Sequence, residues 1–338
     1  MINTKKINVG VVGGAGYTGG ELLRILVNHP NASITFVNSK SKADKFLYEV
    51  HTDLIGDSDV TFTSELSDLI DVLFLCVGHG EARVFLKENN INKNIKIIDL
   101  SQDHRLNNKD FIYGLPELNR EQIKKANYIA NPGCFATCIQ LALLPLAGNQ
   151  LLNQDVHIAA TTGSTGAGQS LSTTSHFSWR QNNQSIYKAF EHQHLNEIGQ
   201  SLTQLQGNFK SELNFVPYRG SFTRGIIASV YTNCDLSTEK IQELYQSYYE
   251  THPFVHISKS PIDLKQIVNT NKGLLQLQKH GNKLLITSCI DNLLKGASGQ
   301  AVQNMNLLFG LEEKAGLQLK AAYFRNVCRS NNIYCDVH

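Results

Sequence analysis

Residues 7–26 read Ile7-Asn8-Val9-Gly10-Val11-Val12-Gly13-Gly14-Ala15-Gly16-Tyr17-Thr18-Gly19-Gly20-Glu21-Leu22-Leu23-Arg24-Ile25-Leu26. A short apolar, β-branched run enters a glycine-rich turn and leaves as a helix former, the local order of a dinucleotide-binding βα unit. Gly13 and Gly16 let the backbone turn tightly and approach a pyrophosphate, and Gly19 lets the helix pack close to the strand. Gly13, Gly16, Tyr17, Thr18 and Gly19 are therefore the expected cofactor-binding turn.

The next strand, Ser33–Asn38, should end near the cofactor's ribose, where an NAD-preferring chain usually offers a carboxylate. Ser39-Lys40-Ser41-Lys42 stands there instead. Ser39, Lys40 and Lys42 suit a 2′-phosphate, so NADP(H) is expected over NAD(H), with ordinary solvated loop charges as the alternative. Strand-like and helix-like segments alternate over the first 130 or so residues, as in a doubly wound parallel sheet. Asp71–Val77 ends at Gly78-His79-Gly80 beside the expected cofactor, Lys96–Leu100 ends in Ser101–Arg105, and Tyr128-Ile129-Ala130 leads to Cys134. Several strand ends thus converge on one crevice, where open sheets place ligands.

Asn131-Pro132-Gly133-Cys134 precedes the helical run Phe135–Ala142 and sets a thiol at a helix entrance. Unpartnered N–H groups and the helix dipole favour thiolate there, which makes Cys134 the candidate nucleophile. The other six cysteines read as small buried hydrophobes. The odd total of seven cysteines and the lack of paired metal-type spacing fit a reducing compartment, and no metal site is expected.

A chain of 338 residues suggests two domains, with 31 basic and 29 acidic side chains giving a formal charge of +2. No basic tract points to nucleic acid, and no apolar run is long enough to span a bilayer. Residues Met1–Lys6 run into the first strand without the apolar core of a signal peptide, so a cytoplasmic location is expected. After Cys134 and its helix, longer amphipathic strands with few helices read as a separate α+β catalytic or oligomerisation domain. The segment Asp291–Gln300 opens a further helix, through Phe309, that should return to the first domain. The expected division is 1–133 plus 296–338 for the dinucleotide domain and 134–295 for the α+β domain.

Thr161–Gly168 and Lys295–Gly299 are glycine-rich loops able to hold an anion, or else plain connections. Glu191-His192-Gln193-His194-Leu195-Asn196-Glu197 is the densest source of proton-transfer groups. His192 and His194 share a face only if the stretch is extended; in a helix His194 joins the buried stripe.

Taken in order, Gly13–Gly19 with Glu21-Leu22, Asn131–Cys134, His192-x-His194-x-x-Glu197, and Asn292-Leu293-x-Lys295-Gly296-Ala297-x-x-Gln300-Ala301-x-Gln303-Asn304 resemble the N-acetyl-γ-glutamyl-phosphate reductases of arginine biosynthesis. That family is related to aspartate-semialdehyde dehydrogenase, and the resemblance covers nearly the whole chain. It implies NADPH-dependent reduction of an N-acylated γ-glutamyl phosphate to the semialdehyde, with phosphate released. By resemblance Cys134 forms a thioester, His194 moves the proton, and Glu197 orients the histidine. The same resemblance places Ser101, Arg105, Asn131, His192 and Arg224 with the small-molecule acyl phosphate. It puts Gly163 and Asn292 around phosphate and nicotinamide, and it implies a homodimer or homotetramer.

Two departures leave every functional group in place: Asp103-His104-Arg105 where the family often has Asp-Phe-Arg, and Leu195-Asn196 where it has Thr-Pro. A third adds one. Arg219, in Phe215–Gly225, stands where relatives carry no cation and suits an extra carboxylate, so an N-succinyl substrate stands beside the N-acetyl one. Another acyl-phosphate reductase such as an aspartate-semialdehyde dehydrogenase, a cysteine hydrolase and a nonenzymatic NADP-binding protein stay open as alternatives.

Overall fold

The computed structural model describes residues 6–106 and 108–323. The ends of the expected dinucleotide domain, at 1–5 and 324–338, and the cysteines Cys328 and Cys335 lie outside the described residues.

The opening strand β1 (Ile7–Val12) is almost wholly buried, with helix α1 (Tyr17–Leu26) turning Leu22, Leu23, Ile25 and Leu26 inward. Around β1 lie β2 (Ala32–Asn38), β3 (Phe62–Thr63), β4 (Val72–Leu75), β5 (Lys96–Asp99), β6 (Phe111–Tyr113) and β7 (Tyr128–Ala130). The sheet runs β3-β2-β1-β4-β5-β7-β6, and every pairing in it is parallel. Strand order reverses at β1, where β2 pairs on one side and β4 on the other, so ligand should lie past the carboxyl ends of β1 and β4. Helices α2 (Leu47–Val50), α3 (Glu81–Glu88) and α4 (Pro116–Lys125) complete this layer.

Helix α5 (Cys134–Gly148) is buried from Phe135 to Ala147. A helix apolar all round belongs inside a core, and α5 packs on a second sheet. That sheet comprises β8 (Val156–Thr162), β9 (Ser185–Ile186), β10 (Leu213–Arg219), β11 (Ile226–Asn233), β12 (Val255–Ser258), β13 (Gly273–His280) and β14 (Lys283–Ile290). It is mixed, in the order β12-β13-β14-β11-β8-β10-β9. Ile226, Ala228, Val230 and Thr232 alternate inward along β11, the pattern of a sheet with one covered face. Helices α6 (Phe177–Arg180), α7 (His194–Leu205) and α8 (Thr238–Tyr249) belong to this half, while α9 (Ser298–Leu308) returns to pack on α1 and α4. No helix among the described residues is long and apolar enough to cross a membrane.

Candidate active site

A cleft of about 670 Å³ opens where the two sheets meet, a volume suited to a small ligand and part of a cofactor. Gly16, Tyr17 and Thr18 line one side, and Val77, Gly78 and His79 follow β4 into it. The glycines divide the work at the turn. Gly13 has φ +76°, and a Cβ there would lie 2.5 Å from the Cys76 carbonyl oxygen. A Cβ on Gly19 would lie 2.6 Å from the Gly14 backbone, so helix and turn can approach only without it. A Cβ on Gly16 would meet nothing nearer than the Gly13 carbonyl oxygen at 4.0 Å, which leaves the backbone open to the cleft. That open, glycine-walled entrance to α1 fits a dinucleotide pyrophosphate.

Cys134 is the first residue of α5 and lies part-exposed on the cleft floor. Helix α9 and the turn before it brace it from behind. The Asn131 amide donates to the Ala297 carbonyl oxygen (3.0 Å) and accepts from Asn304 Nδ2 (3.1 Å), so both its polar atoms hold the loop. A Cβ on Gly296 would lie 2.8 Å from Cys134 Cβ. Gln300 donates to Thr137 one turn into α5. Enclosure by this scaffold changes the expected state of the sulfur. Burial pushes the thiol up to about 11 and outweighs the Phe135 N–H and the Arg105 charge, which both favour thiolate. The helix entrance works as expected in sign but loses to desolvation in size.

His192 and His194 reach the same cleft although α7 begins only at His194. Their rings meet edge-on with centroids 4.6 Å apart, and each also contacts the Phe135 ring. Burial lowers His192 to about 4 and His194 to about 3, so both rest as neutral imidazoles. Glu197 is one turn on, with Oε1 3.8 Å from His194 Nε2, beyond hydrogen-bond range. Its direct partners are Arg105 Nη1 (3.0 Å), the Tyr113 hydroxyl (2.9 Å) and the Gly133 N–H (2.9 Å).

Arg105 also donates to the carbonyl oxygens of Asn131 (2.8 Å) and Leu100 (2.9 Å). Its side chain borders the cleft while Nε, Nη1 and Nη2 each donate within the chain. Ser101 is 1% exposed, donates to the buried Asp99 carboxylate (2.9 Å) and is not among the residues lining the cleft. Arg224 likewise stands outside the cleft lining. It pairs bidentately with Glu21 on α1 (2.8 Å twice) and with Asp291 (3.1 Å twice), tying the two halves together. Asn292 lines the cleft, accepts from the Gly225 N–H (2.7 Å) and donates to Thr165 (3.0 Å). Gly163 lies behind that loop, where a Cβ would be 2.4 Å from the Thr223 carbonyl oxygen.

Arg219 does line the cleft, with its guanidinium over the Tyr187 ring at 4.6 Å. Its Nε is buried with no hydrogen-bond partner among the described residues, and its carbonyl oxygen accepts from the buried Arg180 (2.6 Å). Ser39, Lys40 and Lys42 sit past the end of β2, Lys40–Lys42 in a single 3-10 turn, with no ion pair to either lysine among the described residues. Tyr113, Tyr187 and Arg180 carry no motif spacing in the sequence; only the fold brings them to the site.

A family model described as semialdehyde dehydrogenase, NAD binding domain, matches residues 8–126, and one described as semialdehyde dehydrogenase, dimerisation domain, matches residues 134–292. The chain is 60% identical over 320 residues to the N-acetyl-gamma-glutamyl-phosphate reductase of Christiangramia forsetii, covering 94% of this chain and 100% of the relative. The protein of that name from Flavobacterium johnsoniae is 60% identical over 324 residues with the same coverage. Among solved structures, aspartate semialdehyde dehydrogenase II of Vibrio cholerae, complexed with ASA, superposes with a TM-score of 0.72 at 16% identity, covering 90% of this chain and 99% of that one. The Candida albicans aspartate semialdehyde dehydrogenase with NADP gives 0.68 at 13% identity, covering 90% and 98%. At such identity the two structures speak for the fold alone.

Proposed function

The chain belongs to the N-acetyl-γ-glutamyl-phosphate reductase family, and we propose that it reduces an N-acyl-γ-glutamyl phosphate to the semialdehyde with NADPH, in arginine biosynthesis. The observation that carries this reading is that one cleft joins the open glycine turn at Gly16 to Cys134 and His194. NADPH bound along Gly13–Gly19 supplies the reducing hydride. The rest is work for the chain's own residues. Cys134 loses its proton to His194 and attacks the acyl carbon, the acyl–oxygen bond breaks, and phosphate leaves a thioester on sulfur. After reduction the thiohemiacetal oxyanion collapses to the aldehyde, and His194 returns the proton to the departing sulfur as the carbon–sulfur bond breaks. The neutral imidazole is free to accept the proton, and Glu197, 3.8 Å from His194 Nε2, stands as counter-charge to the imidazolium that forms. Semialdehyde, phosphate and NADP⁺ should generate NADPH absorbance in the reverse direction. Cofactor-independent hydrolysis, or binding without turnover, would count against the reading.

Lys40 and Lys42 carry the preference for NADP(H). Replacing both with Ala should raise KM for NADPH far more than for NADH, and equal effects would contradict the assignment. N-acetyl is the acyl group in this reading, and Arg219 supports a second. A cleft-lining guanidinium with an unpartnered buried Nε, backed by Arg180, suits the extra carboxylate of an N-succinyl group. Comparing kcat/KM for the two phosphates decides it: acetyl preference that survives Arg219→Ala ends the succinyl reading. The division at 133/134 and 295/296, a cytoplasmic location and a homodimer or homotetramer complete the proposal.

A further inference from the structure

One hydroxyl joins the two helices that carry the proposed nucleophile and base. Tyr113 ends β6, beside Ala130 of β7, the strand that leads to Cys134. Its hydroxyl accepts from Gln140 Nε2 on α5 (2.8 Å) and donates to Glu197 Oε2 on α7 (2.9 Å). Cys134 begins α5 and His194 begins α7. The same Oε2 accepts the Gly133 N–H, so the peptide before Cys134 and the turn that carries His194 hang on one carboxylate.

We propose that Tyr113 is a positioning residue for the reaction: by holding Glu197 on Gly133 and Arg105, it keeps that carboxylate off neutral His194 until the histidine takes a proton. The inference rests on the roles proposed for Cys134 and His194. Glu197 stands 3.8 Å from His194 Nε2, too far for a hydrogen bond yet near enough to be the counter-charge once imidazolium forms. Burial pushes the Glu197 carboxyl up, but Arg105, His194, the Gly133 N–H and the Tyr113 hydroxyl together hold it below its ordinary value. Burial also keeps the Tyr113 hydroxyl protonated, so it remains a donor throughout. The other charged or titratable groups facing His194 are Arg105 from the loop after β5, His79 from the loop after β4 and His192 before α7. None of these donates to Glu197 Oε2.

Tyr113→Phe keeps the ring packed on Leu115 and Leu144 and removes only the hydroxyl. Freed of one donor, Glu197 becomes the better acceptor and can swing toward His194, which then protonates more readily. With Glu197 drawn off the Gly133 N–H, the turn before Cys134 loses its register with His194, and that misplacement should lower kcat about tenfold to hundredfold. KM for semialdehyde and NADP⁺ should stay within about twofold, since uniform binding is untouched. The acidic limb of the kcat profile should move up by about one pH unit. If Tyr113→Phe yields no folded enzyme, Gln140→Leu removes the donor to the same hydroxyl and should move the limb in the same direction by less. Unchanged kcat and limb, or a fall in kcat that follows lost melting temperature with the limb fixed, would overturn the inference. Cys134→Ser is the separate control. If it is inactive while Tyr113→Phe behaves as wild type, the reductase reading stands and the Tyr113 role alone fails.

Discussion

Gly133→Ala tests the packing of the site with a single methyl group. Gly133 has φ −72° and ψ 152°, extended backbone that alanine adopts freely, so the backbone adds no strain. A Cβ there would stand 2.3 Å from His194 Nε2, 2.6 Å from His194 Cδ2 and 2.8 Å from Arg105 Nη1. Ordinary carbon contacts lie near about 3.5 Å, so the imidazole must give by roughly 1 Å. It has little space to do so, with the His192 ring centroid 4.6 Å away and Phe135 beside it. Arg105 is held at Leu100 and Asn131 and cannot turn aside without breaking those bonds. A displacement of about 1 Å at a proton-transfer group costs about a hundredfold in rate, or about 2.7 kcal/mol of barrier. Overpacking should also take about 1–3 kcal/mol from stability. The assay is NADPH formation from semialdehyde, phosphate and NADP⁺, with KM for NADP⁺ as internal control because the Gly16 turn lies across the cleft. A folded Gly133→Ala enzyme with wild-type kcat would refute the claim that His194 fills the space beside the nucleophile's turn.

Arg224→Ala removes the cation shared by Glu21 and Asp291, with Arg224 17%, Glu21 12% and Asp291 0% exposed, and should cost about 3 kcal/mol in a urea titration. Arg224→Lys should recover little of this, because one ammonium cannot fork onto two carboxylates; a fully stable Arg224→Ala variant would contradict the tie. Gly199→Ala, within α7 and with nothing within 4 Å of the added Cβ, should stabilise by about 0.5–1 kcal/mol, read as a higher melting temperature. Stability should fall on acidification. Burial depresses His192 and His252 to about 4 and His194 to about 3, so their contribution is full above the unfolded value near 6.5 and is lost as pH drops through the folded values. A urea midpoint unchanged between neutral pH and the lower end of that window would count against neutral burial of these rings.

The parts of this molecule governed by short-range chemistry were readable from the chain. Gly13, Gly16 and Gly19 mark a turn whose constraints lie within a few residues, and the apolar runs around them dictate a parallel sheet. Asn131–Cys134 and His192–His194 arrive at one cleft because strand ends in such a sheet share an edge. What escaped is the long-range hydrogen bonding. The Leu100 and Asn131 carbonyls that Arg105 meets leave no sign around a lone arginine in the sequence. Tyr113 and Glu197 are 84 residues apart, and neither spacing nor composition links them. Arg224 meets Glu21 across 203 residues, a contact made only when the second sheet folds against α1. Cys134 shows the same divide in energy: its helix entrance is a local feature, whereas the burial that raises the thiol is a property of the whole fold, with Gly296 packed against it from far along the chain.

The central claim is that the acyl group passes through the Cys134 sulfur, and intact-protein mass spectrometry reads it directly. Enzyme mixed with the N-acyl-γ-glutamyl phosphate, without NADPH, should gain the mass of one acylglutamyl group at Cys134 and lose it again when NADPH is added. An enzyme that turns over but never carries that mass, or a Cys134→Ser variant that keeps full reductase activity, would contradict it.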